Sequence, residues 1–338
     1  MSTRTVAIAR GARTNLALLA LLAIAFVTGW LAFTFATAPA RWSLIIHAAG
    51  GFAILALLPW KSIIARRGMG RPRSGRWASV LLGVLVLISL TAGLLHSTGL
   101  LVYLGPLTAM DFHVGAAIAA VPLAIWHVVA RRVRVRPTDL ARRSVLRAGA
   151  VIAGATVAYA ASEMVVRAAG MPGAVRRFTG SYEAGSFEPG AMPVSSWMFD
   201  PVPQVDEVAW RLRAGGRDWR YEELFAFDDR LTATLDCTGG FFSTQVWTGA
   251  RLDRLIGRVG GTTMRVVSVT GYDRRFSIDQ ASSMLLATRF GGQTLDHGHG
   301  FPARLVVPEA RGFWWVKWVS AIEIDDVPHW WQPPFPLQ

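Results

Sequence analysis

Cysteine is almost absent: one residue, Cys237, in a chain of 338. A lone thiol excludes an internal disulfide, and with it the disulfide-stapled class of small secreted scaffolds. Acidic residues are nearly missing from the first half. Residues 1–170 hold 18 Lys/Arg against three acids (Asp111, Asp139, Glu163), whereas residues 171–338 hold 17 against 19. The formal charge of +13 therefore belongs to one half of the chain and does not describe a basic nucleic-acid-binding domain, so no nucleic-acid partner is expected. Charge of either sign is also missing from long stretches of that half.

What fills those stretches is apolar, in keeping with an apolar fraction of 52% overall. Residues 15–37, 42–64, 77–101 and 110–130 each reach the ~20 residues that a helix needs to cross a ~30 Å hydrocarbon core, and 148–166 forms a weaker fifth run. Six basic residues lie between Lys61 and Arg76 and seven between Arg131 and Arg147, while the alternate connections hold only Arg41. The positive-inside rule then puts the N-terminus in the cytoplasm and everything after about residue 170 outside. The expected divisions are a cytoplasmic tail (1–14), a four-helix membrane domain (15–135), a segment with a fifth transmembrane helix (136–170) and an extracytoplasmic domain (171–338). Arg142 and Arg143, followed by SVLR and an alanine-rich stretch, resemble a twin-arginine export signal retained as an anchor.

Four of the seven histidines, His47, His96, His113 and His127, fall in these runs, where an ionisable side chain is costly and by default functional. HAAGGFAILALLPWK aligns with HVGAAIAAVPLAIWH, pairing His47 with His113, and FVTGWLAF faintly matches SLTAGLLH, as in a duplicated helical hairpin. Two imidazoles facing each other across a bundle supply both axial ligands of a haem, with Gly50, Gly51 and Gly115 leaving room. His127 lies 14 residues beyond His113, about 21 Å along the helix and within about 40° of the same face. This pattern resembles diheme membrane cytochromes b. It departs from them at Lys61, which stands where a partner for His127 is needed, so one haem b is expected and a second is left open. His96 is a further candidate ligand or propionate partner. The alternative for each histidine is a polar contact between helices.

Beyond residue 171, Pro and Gly become frequent and short runs of Val, Ile, Phe and Trp alternate with turn residues, so the expected class is mixed α+β, rich in β. RYEELFAF, LTATLDC, TTMRVVSVTGY, ARLVVPE and SAIEIDD read as strands or strand ends; residues 251–257 and 280–287 each read as two turns of helix. Cys237 ends a β-like run and precedes Gly239 and Gly240, a setting for close approach of something bulky, although a cysteine is also a common small core residue.

DCTGG (236–240), WTGARLDRLI (247–256), DHGHGFPARLVVP (296–308) and GFWWVKWVSAIEI (312–324) together resemble the signature blocks of the sulfite oxidase family of molybdopterin oxidoreductases. The resemblance implies a mononuclear molybdenum held by a pterin dithiolene and by the Cys237 thiolate, with His299, Arg304 and Lys317 on the pterin and its phosphate and with His297, Gly298 and Gly300 as secondary contacts. Thiolate suits a soft metal, and Arg and Lys suit a phosphate. Where sulfite-oxidising members carry a glycine-asparagine and arginines after the cysteine, this chain has Gly239, Gly240, Phe241 and Phe242. The expected protein is a multi-pass enzyme of the cell membrane that transfers oxygen atoms to or from a small oxyanion, S-oxide or N-oxide and exchanges electrons with quinone through haem b. The rival expectations are a molybdopterin enzyme on a haemless anchor served by soluble carriers, and a ligand-binding protein without turnover.

Overall fold

The computed structural model describes residues 3–69, 74–101, 103–105, 107–131, 142–196, 201–257 and 260–333. The expected division between 135 and 136 and most of the basic segment 131–147 fall outside the described residues. The chain separates into two units, one of residues 1–32 and 38–180 and the other of 33–37 and 181–338.

The first unit is helical: α1 (Thr3–Thr34), α2 (Ala40–Met69), α3 (Arg76–Thr98), α4 (Ala109–Ala130) and α5 (Arg142–Ala168). All five are long and apolar enough to cross a membrane. α1 runs from Thr3, so the described part of 1–14 is helical and continuous with the first apolar run. Arg142 and Arg143 are the first described residues of α5. α3 packs against α4 and α2 against α5. A two-residue-per-strand hairpin, β1 (Tyr103–Leu104) with β2 (Leu107–Thr108), joins α3 to α4. Thr108 caps α4: its Oγ1 accepts from the Asp111 N–H (3.1 Å) while Asp111 Oδ2 accepts from the Thr108 N–H (2.8 Å), satisfying two otherwise orphaned donors.

The second unit is built on two sheets. In the first, β6 (Asp229–Asp236) and β7 (Phe241–Arg251) form an antiparallel hairpin, β7 continues to β10 (Leu285–Phe290), and β3 (Tyr182–Glu183), β11 (Gln293–Thr294) and β12 (Arg304–Val306) complete it. The second has the order β5 (Arg217–Trp219), β4 (Leu212–Ala214), β13 (Val319–Asp325), β8 (Thr263–Ser268) and β9 (Asp273–Ser277). Alternate residues of β7 (Phe241, Ser243, Gln245, Trp247) are buried, the period-2 pattern of a strand with one face on a core. That core gathers Trp247, Trp315, Leu212, Met264, Leu286 and Leu305.

Two expectations fail in this unit. RYEELFAF is not a strand but carries the short helix α6 (Tyr221–Phe225), because Glu223 Oε2 accepts from the Arg220 N–H (2.8 Å) and closes a helical turn over an ambiguous apolar pattern. The second half of the helix expected at 280–287 is strand: a 3-10 turn (Ile278–Ser283) leads into β10, whose Leu285, Leu286 and Ala287 are all buried, as in a strand covered on both faces. The other expected short helix is α7 (Leu252–Ile256).

Candidate functional site

Cys237 occupies the corner of the β6–β7 hairpin. Its N–H donates to the Phe241 carbonyl (2.8 Å) and its carbonyl accepts from the Gly240 N–H (3.1 Å), a tight reversal for which Gly240 supplies φ +96°. The side chain is 5% exposed, and its Sγ faces Ser195 Oγ at 3.0 Å and accepts from the Gly239 N–H at 3.3 Å. A charged brace stands behind this corner. The Arg311 guanidinium pairs with Asp236, at 1% and 3% exposure for acid and base, and also donates to the Cys237 carbonyl (3.3 Å), while Ser181 Oγ donates to Asp236 Oδ1 (2.7 Å). Removing one partner of such a pair strands a buried charge.

The second part of the site is the turn 296–300. Asp296 Oδ1 accepts from the His299 N–H (2.8 Å), and Oδ2 accepts from the ring Nδ1–H (2.6 Å); Nε2 lies 3.1 Å from the Met192 carbonyl. Burial pushes the His299 ring toward the neutral form, and the Asp296 carboxylate opposes this. Gly300 has φ +111°, and a Cβ there would meet the Cβ atoms of Arg304 and Lys317 at 3.2 Å, so a bare backbone lets both cationic side chains approach. His297 accepts from the Val205 N–H at 3.4 Å, and its carbonyl takes the Trp318 indole N–H (2.7 Å).

Arg304 and Lys317 are the electrostatic centre. Arg304 is 3% exposed, lies against the rings of both Trp247 and Trp315, and donates one N–H to the His299 carbonyl (3.1 Å). Its buried Nε has no acceptor among the described residues. Burial lowers its pKa to about 10, against the pull of Cys237 and Asp296. Lys317 Nζ donates to the carbonyls of Ser195 (2.7 Å) and Gly298 (2.6 Å). Burial first, and the Arg304 charge second, lower it to about 7. Two buried cations beside each other, one with an unsatisfied N–H, are the environment that a polyanion relieves. The donor set therefore fits an anionic pterin with a thiolate-bound metal: a soft sulfur at the hairpin corner, and Arg304 and Lys317 for a phosphate.

Cys237, His299, Arg304, Lys317, His297, Gly298 and Gly300 thus come together in one place. Sequence reasoning missed Ser195, whose hydroxyl faces the thiol and whose carbonyl holds Lys317, and gave no role to Asp236, Arg311 or Asp296. Asp296 had a signal, the D-x-x-H spacing of a side-chain-closed turn; Ser195 had none.

In the helical unit His47 and His113 meet, with ring centroids 5.5 Å apart and planes at 89°. The His47 Nδ1–H donates to the Ala25 carbonyl and the His113 Nδ1–H to the Ser89 carbonyl, each at 2.7 Å. Each ring lies on a glycine: a Cβ on Gly29 would come within 2.8 Å of His47, and one on Gly93 within 2.9 Å of His113. Gly29 and Gly93 lie within the faintly matching stretches FVTGWLAF and SLTAGLLH, one position out of register, so each hairpin seats its ring on a glycine of the preceding helix without a residue-for-residue match. His96 and His127 are not part of this pair: His96 Nε2 is 3.3 Å from the Gly180 carbonyl, and His127 Nδ1 is 3.0 Å from Ser79 Oγ. Among the described residues no group of three or more His, Cys, Asp or Glu gathers as a metal cluster.

Residues 199–331 match the family model described as the oxidoreductase molybdopterin binding domain. This part of the chain is a molybdopterin-binding oxidoreductase domain of the sulfite oxidase type. It is similar to mitochondrial sulfite oxidase of Homo sapiens (27% identity over 38% of this chain and 32% of that one) and to sulfite oxidase of Arabidopsis thaliana (28%, over 37% and 44%). A shorter stretch resembles nitrate reductase [NADPH] of Mycosarcoma maydis (41% identity, over 15% of this chain and 5% of that one). Among solved structures, the sulfane dehydrogenase SoxCD of Paracoccus pantotrophus aligns with TM-score 0.35 and 24% identity, over 37% of this chain and 40% of that one. The chain thus spans about a third to under a half of the length of these sulfite oxidases.

Proposed function

We propose that the protein is a membrane-anchored molybdenum oxidoreductase whose pterin domain, residues 171–338, faces the outside of the cell membrane. A helical bundle, residues 15–135, would carry haem b and exchange electrons with quinone, and residues 136–170 would supply the signal-like fifth span. The observation that carries the reading is the convergence of Cys237, Arg304 and Lys317 on Ser195 and the 296–300 turn, with a buried arginine N–H that has no acceptor among the described residues. Bound molybdopterin supplies two-electron oxygen-atom transfer, and a haem supplies one-electron exchange.

The chain's own residues then have distinct tasks. Cys237 offers a thiolate; Ser195 Oγ–H and the Gly239 N–H donate to that sulfur and fix its direction. Arg304 and Lys317 neutralise the anionic group, and Asp296 holds the His299 ring against rotation. Relatives named for sulfite and nitrate point to a small oxyanion, an S-oxide or an N-oxide as substrate. Phe241 and Phe242, standing where sulfite-oxidising members carry arginines, favour a less charged molecule than sulfite.

For the bundle, the support is the His47/His113 pair. With each Nδ1–H committed to a backbone carbonyl, each Nε2 is the nitrogen left for a metal. Metal and haem stoichiometry of the purified full chain, with a reduced-minus-oxidised spectrum, tests both parts: one molybdenum and one haem b per chain are expected. His47→Ala and His113→Ala should each abolish the haem band and spare the molybdenum. A wild-type chain with molybdenum and no haem b band leaves the haemless anchor served by soluble carriers.

A further inference from the structure

Fourteen residues separate His47 from Lys61 and His113 from His127, so each second residue stands about 21 Å along its helix and within about 40° of the face that bears the first. Because the His47 and His113 rings meet, helix pitch carries Lys61 and His127 toward the corresponding sides of α2 and α4 at the other end of the bundle. A lysine near the end of a span ordinarily extends to the headgroups. Lys61 instead turns inward, its Nζ donating to Asn15 Oδ1 of α1 (2.9 Å), and His127 Nδ1 pairs with Ser79 Oγ of α3 (3.0 Å). Asn15 and Lys61 of α1 and α2, and Ser79 and His127 of α3 and α4, thus form two hydrogen-bonded polar pairs between neighbouring helices.

We infer that Lys61 and His127, positioned by Asn15 and Ser79, form the headgroup site of a quinone. This rests on the reading of the bundle as a quinone-linked electron carrier. Beyond these two bonds, two ammonium N–H groups and His127 Nε2 have no hydrogen-bond partner among the described residues, and they suit the two carbonyl oxygens of a quinone ring. Lysine in one half of the repeat removes the second imidazole that a haem at this level needs. Reduction of the bound quinone takes two electrons from the one-electron carrier and two protons, delivered through His127 Nε2–H and Lys61 Nζ–H from solvent on the side of the basic loops. Each quinone oxygen gains one O–H bond, and oxidation of the quinol reverses both transfers.

The test is equilibrium binding of a short-chain ubiquinone to the full-length protein in phosphatidylcholine nanodiscs, with the haem spectrum recorded on the same samples. Lys61→Met and His127→Leu are each expected to weaken binding about tenfold, and Asn15→Ala a few-fold. Unchanged binding in these variants overturns the site. So does loss of binding in phosphatidylglycerol nanodiscs alone, which assigns the cluster to a lipid phosphate. If Lys61→Met fails to fold, Asn15→Ala and Ser79→Ala decide: unchanged affinity in both overturns the assignment. Quinone binding that depends on Lys61 in a chain without haem removes the electron-carrier reading and leaves the site. A normal haem with variant-insensitive quinone binding removes the site and leaves the carrier.

Discussion

In the helical unit the groups to which we assign chemistry sit on long helices at fixed spacing, His47 and His113 as a ring pair and Lys61 and His127 fourteen residues on. In the β-rich unit they sit where regular structure stops: Cys237 after β6, His299 between β11 and β12, Arg304 at the start of β12 and Lys317 just before β13. The first arrangement follows from helix pitch, so residue spacing maps onto position. The second is a meeting of loops whose backbone groups do the holding, as the carbonyls of Ser195, Gly298 and His299 do for Lys317 and Arg304. Loops positioned by a rigid scaffold are the usual place for reactive groups, and they cost more in supporting contacts.

The largest expected effect tests whether the loop site is a metal site. Cys237→Ser keeps the size and the Ser195 contact but exchanges soft sulfur for hard oxygen. Molybdenum content and oxygen-atom-transfer activity should both fall by more than about 100-fold, the upper end of what outer-sphere partners cost. Metal analysis of the purified variant checks this, with the haem spectrum unchanged. Equal molybdenum in variant and wild type removes Cys237 as the ligand.

The next effect separates the two units by stability. Arg311→Leu takes the paired positive charge from the buried Asp236 carboxylate behind the cysteine corner and leaves it the Ser181 hydrogen bond, a change that costs about 3–5 kcal/mol. The double variant Asp236→Asn/Arg311→Leu should recover part of that loss. Thermal melts followed by near-UV circular dichroism read the β-rich unit, and the haem band reads the helical one. A simultaneous loss of both signals would mean that the units do not unfold separately.

Legibility in the sequence divides along the same line. Apolar runs gave the number of long helices, and the repeat gave the His47/His113 pairing, because in both cases the information is periodic. The helix ends were not legible: α1 extends back to Thr3 and α5 to Arg142 because charged residues near a span terminus continue a helix as readily as end it. In the β-rich unit, strands with clean alternation such as β6, β8 and β13 were readable, whereas α6 and β10 were not, since local capping and two-sided burial both erase the period-2 signal. Cys237, His299, Arg304 and Lys317 were found through motif resemblance rather than spacing. Ser195 escaped because nothing around it marks a serine 42 residues from the cysteine as its neighbour.

A smaller effect turns on Lys317. Its pKa falls from 10.5 to about 7 on folding, so between those values the unfolded chain binds a proton that the folded chain does not. Stability of the metal-free protein therefore rises with pH from about 7 toward 10, and the penalty for burying the ammonium is fully present below 7. Lys317→Met should raise the melting temperature at pH 6 and flatten this slope. Loading with molybdopterin should flatten it too, by supplying the ammonium with an anion. A wild-type slope equal to that of the variant would mean that Lys317 is charged in the folded protein throughout, and that its surroundings already contain the negative charge assigned to the pterin.

The smallest effect belongs to the helical unit and bears on whether its geometry is local. Thr108→Ala removes the acceptor for the Asp111 N–H and half of the box that starts α4, worth about 1 kcal/mol. His113 lies five residues further, within the second turn of the same helix, and its ring seat on Gly93 belongs to α3. If α4 is held by its packing along α3, the loss stays at the terminus and the haem band keeps its position while the melting temperature drops slightly. If the cap sets the height of α4, the His113 ring leaves its seat and the band shifts. Thr108→Ser, which keeps the hydroxyl, should behave as wild type in either case, and the pair of variants therefore separates capping from the loss of a methyl group.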